Sequence, residues 1–176
     1  MDGVVSARSF ELLVQWLYLG RVAFGILAPE ESITAIIEFI RLADMCGVTG
    51  MESLMAERIK TIIKANPAPP RLQPVATRTS HKRVPDTNTY CITSQHITSA
   101  AFLPEGHPVR SMLASAAVEG YLRDDNHKFR KEAQDVPNFS ADLLKAVRTT
   151  LKNLAYRNSE IQFEDPISGV TMPLKP

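Results

Sequence analysis

Few residues in this chain are suited to chemistry. The stretch "CITSQH" places Cys91 and His96 five positions apart, and His107 follows in "LPEGHPVR". A thiol and an imidazole at that reach could form a nucleophile and its base, or two ligands of a metal ion. A structural zinc site needs four ligands at recognisable spacings, and neither Cys-x-x-Cys nor His-x-x-x-His occurs. A catalytic thiol needs an activating, half-exposed setting. The plainer reading makes His96 a residue that helps start a helix, and His107, directly before Pro108, a cap or turn residue. On that reading there is no catalytic, cofactor-binding or metal-binding residue, no cofactor, and the chain is no enzyme. An α-helical enzyme using Cys91 and His96 is the alternative.

The other polar clusters have plain structural uses. "RTSHKR", Arg78 to Arg83, is a solvated basic run, or else a nuclear-import or phosphate contact. "LPEGHPVR" holds one glycine, which suits a turn feeding a helix and not a phosphate cradle. Asp124 and Asp125 fall at a helix boundary, where capping accounts for them. Met51 and Met55, with Met45 nearby, read as core, with an adaptable binding groove as the second reading.

The elements that carry these residues are helical. From Phe10, apolar residues recur at Leu13, Val14, Leu17 and Tyr18, one stripe at helical spacing, with Trp16 off its centre and Leu12 widening it. Gly20 stops that helix, and "RVAFGI" reads as a short extended piece, at most a token strand at Arg21 to Phe24. In "LAPEES", Pro29 suits a first helical turn, and Glu30 and Glu31 complement its dipole. The inner face of that second helix is Ile33, Ile36, Ile37, Ile40 and Ala43, with Phe39 beside it. Thr49 and Glu52 have capping-box spacing ahead of a third stripe through Met51, Leu54, Met55, Ile59, Ile62 and Ile63. Further helices are expected after Thr93, from Pro108, and through "NFSADLLKAVRTTLKNLAYR". Small residues Ala114, Ala116, Ala117 and Gly120 permit close helix approach on the second of these.

The whole reads as mainly α: a helical segment over 1–65, a proline-rich linker over 66–90, a C-terminal helical segment over 91–157 and a loose tail over 158–176. Five prolines punctuate the linker, which reads as extended, mobile and a boundary between two small bundles. A formal charge of +1 on 176 residues argues against a dedicated nucleic-acid binder. No apolar run approaches the roughly 20 residues of a membrane span, and "MDGVVSARS" has no apolar signal core. Two cysteines fit a reducing intracellular setting, with nucleus and cytoplasm undecided.

One combined pattern resembles a known family. Phe10, Leu13, Trp16, Tyr18 and Gly20, then Leu42, Ala43, Asp44 and Val48, then Met51, Leu54 and Ile59, are similar in order and spacing to the second half of a BTB/POZ domain. The part after the linker, with "PDTNTYCITSQHI" and "LPEGHPVR", resembles the C-terminal region that follows this domain in many fungal BTB proteins, and more faintly the helical extension that follows it in cullin adaptors. The resemblance implies a protein–protein interaction module, an adaptor or oligomerisation protein, acting on a protein partner or on itself. The strands and helices with which a full domain begins have no counterpart in these 176 residues. The family's hydrophobic-x-glutamate cullin contact, which precedes this first helix, is not supplied by "MDGVVSAR". Recruitment of a cullin ligase is therefore not carried over. A truncated or non-functional gene fragment is the alternative.

These readings converge on the first helix. Phe10, Leu13, Trp16 and Leu17 are the expected partner-binding residues, because together they bury a large apolar area. Either the helices after the linker fold back onto this stripe, or it is an open face.

Overall fold

A computed structural model describes residues 6–69, 87–152, 154–157 and 160–174. Its first helix, α1 (Ala7–Leu19), begins in a capping box. The Ser9 N–H donates to the Ser6 hydroxyl, and the Ser6 N–H donates to the Ser9 hydroxyl, which satisfies two free amides at the helix start. It ends at Gly20, as expected. With φ of 62° this residue occupies the left-handed region, and its N–H returns to Trp16 O at 2.8 Å.

Residues 21–25 are extended but form no strand. Among the described residues their only hydrogen bond is from Ala23 N–H to Gln15 Oε1 at 2.9 Å. The short extended piece expected at Arg21 to Phe24 is present without becoming a strand: β-bias alone gives no ladder without a neighbouring strand.

The second helix, α2 (Pro29–Met45), has Pro29 in its first turn, followed by Glu30 and Glu31. Ile33, Ala35, Ile36, Ile37, Phe39, Ile40, Leu42 and Ala43 are all buried. A helix apolar on so many sides must be central, and α1, α3 and α4 all pack on α2. The third, α3 (Glu52–Ala65), has Met51 at its N-cap, not Thr49. Glu52 instead accepts from Gly50 N–H at 2.9 Å, and the capping box expected between Thr49 and Glu52 does not form.

After residues 70–86, a short 3-10 turn (Thr87–Thr89) leads into α4 (Ser94–Ala100), α5 (Pro108–Arg123), α6 (Arg130–Asp135) and α7 (Pro137–Leu151). The helix α5 is the second hub. It is buried at Val109, Leu113, Ala114, Ala116, Ala117, Val118 and Gly120, and it packs against α7, α3 and α4. The small residues let these neighbours come close, as the sequence suggested. The expected linker lies largely outside the described residues, and the basic run Arg78–Arg83 does so entirely. Its two ends meet: Ala68 N–H donates to Thr87 O at 3.3 Å.

Two expectations need correction. The helices on either side of 66–90 are not separate bundles, because α3 packs on both α2 and α5, and their buried residues form one continuous core from Leu12 to Ile167. Nor is the tail loose. Strands β1 (Ala155–Arg157), β2 (Glu160–Glu164) and β3 (Thr171–Pro173) form an antiparallel sheet in the order β1-β2-β3, with Phe163 fully buried. Its β2–β3 turn is held by Asp165, which accepts from Ser168 N–H at 2.7 Å, and by Gly169 at φ of 73°.

Candidate interaction surface

The four residues expected to bind a partner divide between two faces of α1. Leu13 is 5% exposed and packs inward with Leu12 and Ser9, toward α2. Trp16 is half-buried against the same core, and a Cβ placed on Gly50 would touch its ring at 4.0 Å. Phe10 and Leu17, by contrast, are 58% and 60% exposed. The partner of α1 within the chain is therefore α2, and the helices after the linker leave its outer face open.

That open face is more regular than the sequence stripe implied. Phe10, Val14, Leu17 and Tyr18 fall at i, i+4, i+7 and i+8, which places them on one side of a helix. Tyr18, the most exposed of them at 84%, was legible as part of the stripe but not as part of this face. The signal that separates the faces is Ser9. A polar residue fully enclosed by the core marks the inner side, and its hydroxyl is satisfied within the capping box.

The residues suited to chemistry are occupied by structure. Cys91 is buried, and burial pushes its thiol above the ordinary value, away from the reactive thiolate. His96 uses both ring nitrogens. Nδ1 accepts from Thr93 N–H at 3.0 Å, which leaves the proton on Nε2. That N–H points to Thr34 Oγ1 at 2.8 Å, and the Thr34 hydroxyl donates onward to Glu30 O at 3.1 Å. The imidazole is thereby held neutral, and burial pushes its pKa down to about 4. Its lone pair is committed to a helix cap and is not free to take a proton from a thiol.

His107 caps α5 through Nδ1, which accepts from Val109 N–H at 3.2 Å. Asp124 is the C-cap of α5 and accepts from Asn126 N–H at 2.8 Å. Met51 and Met55 lie in the core, while Met45 is exposed.

A buried polar cluster was not visible in the sequence. Asn88 Nδ2 donates to Asp165 Oδ1 at 2.9 Å and approaches Glu119 Oε2 at 3.4 Å. Glu119 also accepts from Arg123 Nη1 at 2.8 Å. Glu119 and Asp165 are each 1% exposed. Burial first, and the Asp165 charge second, push Glu119 above the ordinary carboxylate value, with Arg123 opposing. This cluster ties the tail sheet and the end of the linker to α5. Among the described residues no group of three or more His, Cys, Asp or Glu could hold a metal ion. No helix among them is long and apolar enough to cross a membrane.

Compared with known proteins, the chain matches no family model, no curated protein and no solved structure. What the geometry defines is a mainly helical protein with one core and an exposed apolar helix face.

Proposed function

We propose that this chain is a non-enzymatic protein–protein interaction module of the kind the BTB/POZ resemblance implies, acting on a protein partner or on a second copy. The observation that carries the reading is the outer face of α1, where Phe10, Leu17 and Tyr18 present large apolar surface beside Val14. Burying the exposed part of a Phe or Leu is favourable by about 1–2 kcal/mol each. Grouped aromatic and aliphatic residues of this sort form the centre of interfaces. The stripe is the core of such a contact and not its whole, since a stable interface covers roughly 800 Å² per partner. A cullin ligase is not included among the partners, because the contact motif is absent.

The test is the triple variant Phe10→Ser, Leu17→Ser, Tyr18→Ser. Light scattering of the wild type at rising concentration should show self-association, or a partner should be retained, and the triple variant should lose either one with its melting temperature unchanged. Trp16 is left alone, because its half-buried ring serves the core and its loss confounds binding with stability. A wild type that stays monomeric and binds no partner through this face removes the proposal.

A further inference from the structure

A second surface specifies a kind of partner, and the reading rests on the chain being an interaction protein. An open groove of about 470 Å³ lies between the extended segment after α1 and one side of α3, lined by Arg21, Val22, Leu54, Arg58, Thr61 and Ile62. Leu54 is exposed, and Val22 and Ile62 are half-buried. Leu54, Arg58 and Ile62 lie at i, i+4 and i+8, a single ridge about 12 Å long at the helical rise of ~1.5 Å per residue. The ridge continues from buried α3 residues beneath it, so the groove has a rigid wall.

Charge gives the groove its direction. The Arg58 guanidinium stands 4.7 Å over the Phe24 ring, and Phe24 is itself buried in an edge-to-face contact with Phe39. This stacking fixes the arginine at the rim. Among the described residues the ion pairs are Arg8–Glu38, Arg110–Asp142 and Arg123–Glu119, and neither Arg21 nor Arg58 forms one with a described residue. Glu57 is the one carboxylate in the lining. Two arginines that pair with no described carboxylate, beside exposed leucine and half-buried valine and isoleucine, complement an apolar surface edged with acids.

We propose that this groove docks a short amphipathic helix of a partner protein, whose apolar side chains are flanked by acidic ones. Apolar residues one turn apart on the incoming helix meet Val22, Leu54 and Ile62, and its acids meet Arg21 and Arg58. Helices seat in such grooves through i, i+3, i+4 and i+7 anchors, and the charges select the partner and its orientation.

The probe is a fluorescein-labelled synthetic helical peptide of about three turns with leucines at i, i+4 and i+7 and glutamates beside them. A second peptide has lysine at each glutamate position. The acidic peptide should bind, moving the amide resonances of Val22, Leu54 and Ile62, and the lysine peptide should not. Arg21→Gln with Arg58→Gln should weaken binding about tenfold, and so should raised salt. The Phe10, Leu17, Tyr18 triple variant should bind the acidic peptide as the wild type does. Failure of the acidic peptide to bind, equal binding of both peptides, or indifference to the arginine substitutions overturns the groove. Loss of peptide binding in the triple variant moves the contact to the α1 face, which overturns the groove and leaves the proposed function standing.

Discussion

His96 joins the two halves of the molecule, and its protonation should loosen them. The ring sits in α4 and bonds Thr34 in α2, a partner 62 positions away in the chain. Its Nδ1 also closes the capping box of α4 by accepting from Thr93 N–H. A proton on Nδ1 removes that acceptor and places a charge in a buried site. Burial accordingly lowers the folded pKa from 6.5 to about 4. The sign follows from linkage. Above pH 6.5 both folded and unfolded imidazoles are neutral, and the stabilising contribution is complete. As pH falls from 6.5 toward 4 the unfolded chain takes up a proton that the folded chain refuses, and stability is lost. At about 1.4 kcal/mol per pH unit the loss totals about 3 kcal/mol, and about 2.5 kcal/mol of it is reached by pH 4.5. Against a total stability of roughly 5–15 kcal/mol this is a large share.

The assay is urea unfolding at pH 7.5 and pH 4.5 for the wild type and His96→Asn. Asparagine keeps an acceptor near the Nδ1 position and does not titrate. At pH 7.5 the variant should be less stable by about 1–2 kcal/mol, from the lost Thr34 bond and ring packing. At pH 4.5 that deficit should vanish or reverse, because only the wild type carries the proton penalty. His107 and His127 are also pushed down by burial, and carboxylates titrate nearby, but both contributions cancel in the difference between the two proteins. A deficit of the same size at both pH values would show that His96 is not held neutral in the fold, and the tautomer derived from Thr93 would be wrong.

Two more outcomes follow from the buried ion pairs. Arg110 donates to Asp142 at 2.7 Å, to Leu103 O at 2.8 Å and to Asn138 O at 3.2 Å, so Asp142→Ala leaves an enclosed guanidinium without its counter-charge. It should cost about 3–5 kcal/mol in the denaturant midpoint, while a joint Arg110→Met, Asp142→Leu change should cost much less. Glu119 has the opposite linkage sign to His96. Its folded pKa is raised by burial and by Asp165, so its ionised form costs stability at neutral pH, and acidification through the raised value toward the ordinary 4.5 relieves that cost. Denaturant midpoints across this window should show a stabilising acid-side slope in the wild type relative to Glu119→Gln, and an identical pH dependence in the two would remove Glu119 from the account.

What could be read in the sequence was local. Gly20, Pro29, and the glutamates after it act within one turn of chain, and their roles need nothing distant. The tail failed for the opposite reason. "DPISGV" has the proline and glycine of a loose end, but Asp165 and Gly169 close a turn that carries Ile167 into a core formed by residues far away in sequence. The supposed boundary at 66–90 misled in the same way. Proline content describes the connection, not whether α3 reaches across to α5. A usable hint lay in α5 itself, where small and apolar residues appear on nearly every side. A helix of that composition needs neighbours all round, more than a small separate bundle of its own can provide.

The first helix shows how a correct choice of element can still misassign its residues. Its apolar residues cover more than half of the circumference, so one stripe drawn through Phe10, Leu13, Trp16 and Leu17 spans two faces. The inner face has Leu12, Leu13 and Trp16 around the hidden Ser9, and α2 covers it. The outer face has Phe10, Val14, Leu17 and Tyr18 and is uncovered by the described chain. A helix that served only the core would have no reason to be apolar on its second side, since polar residues there keep a chain soluble without loss of packing. An inner apolar face centred on the buried Ser9, beside an outer apolar face left exposed, fits a helix that serves the core and the proposed interface together. For this reason the serine substitutions at Phe10, Leu17 and Tyr18 should spare the fold, while any change at Leu13 should not.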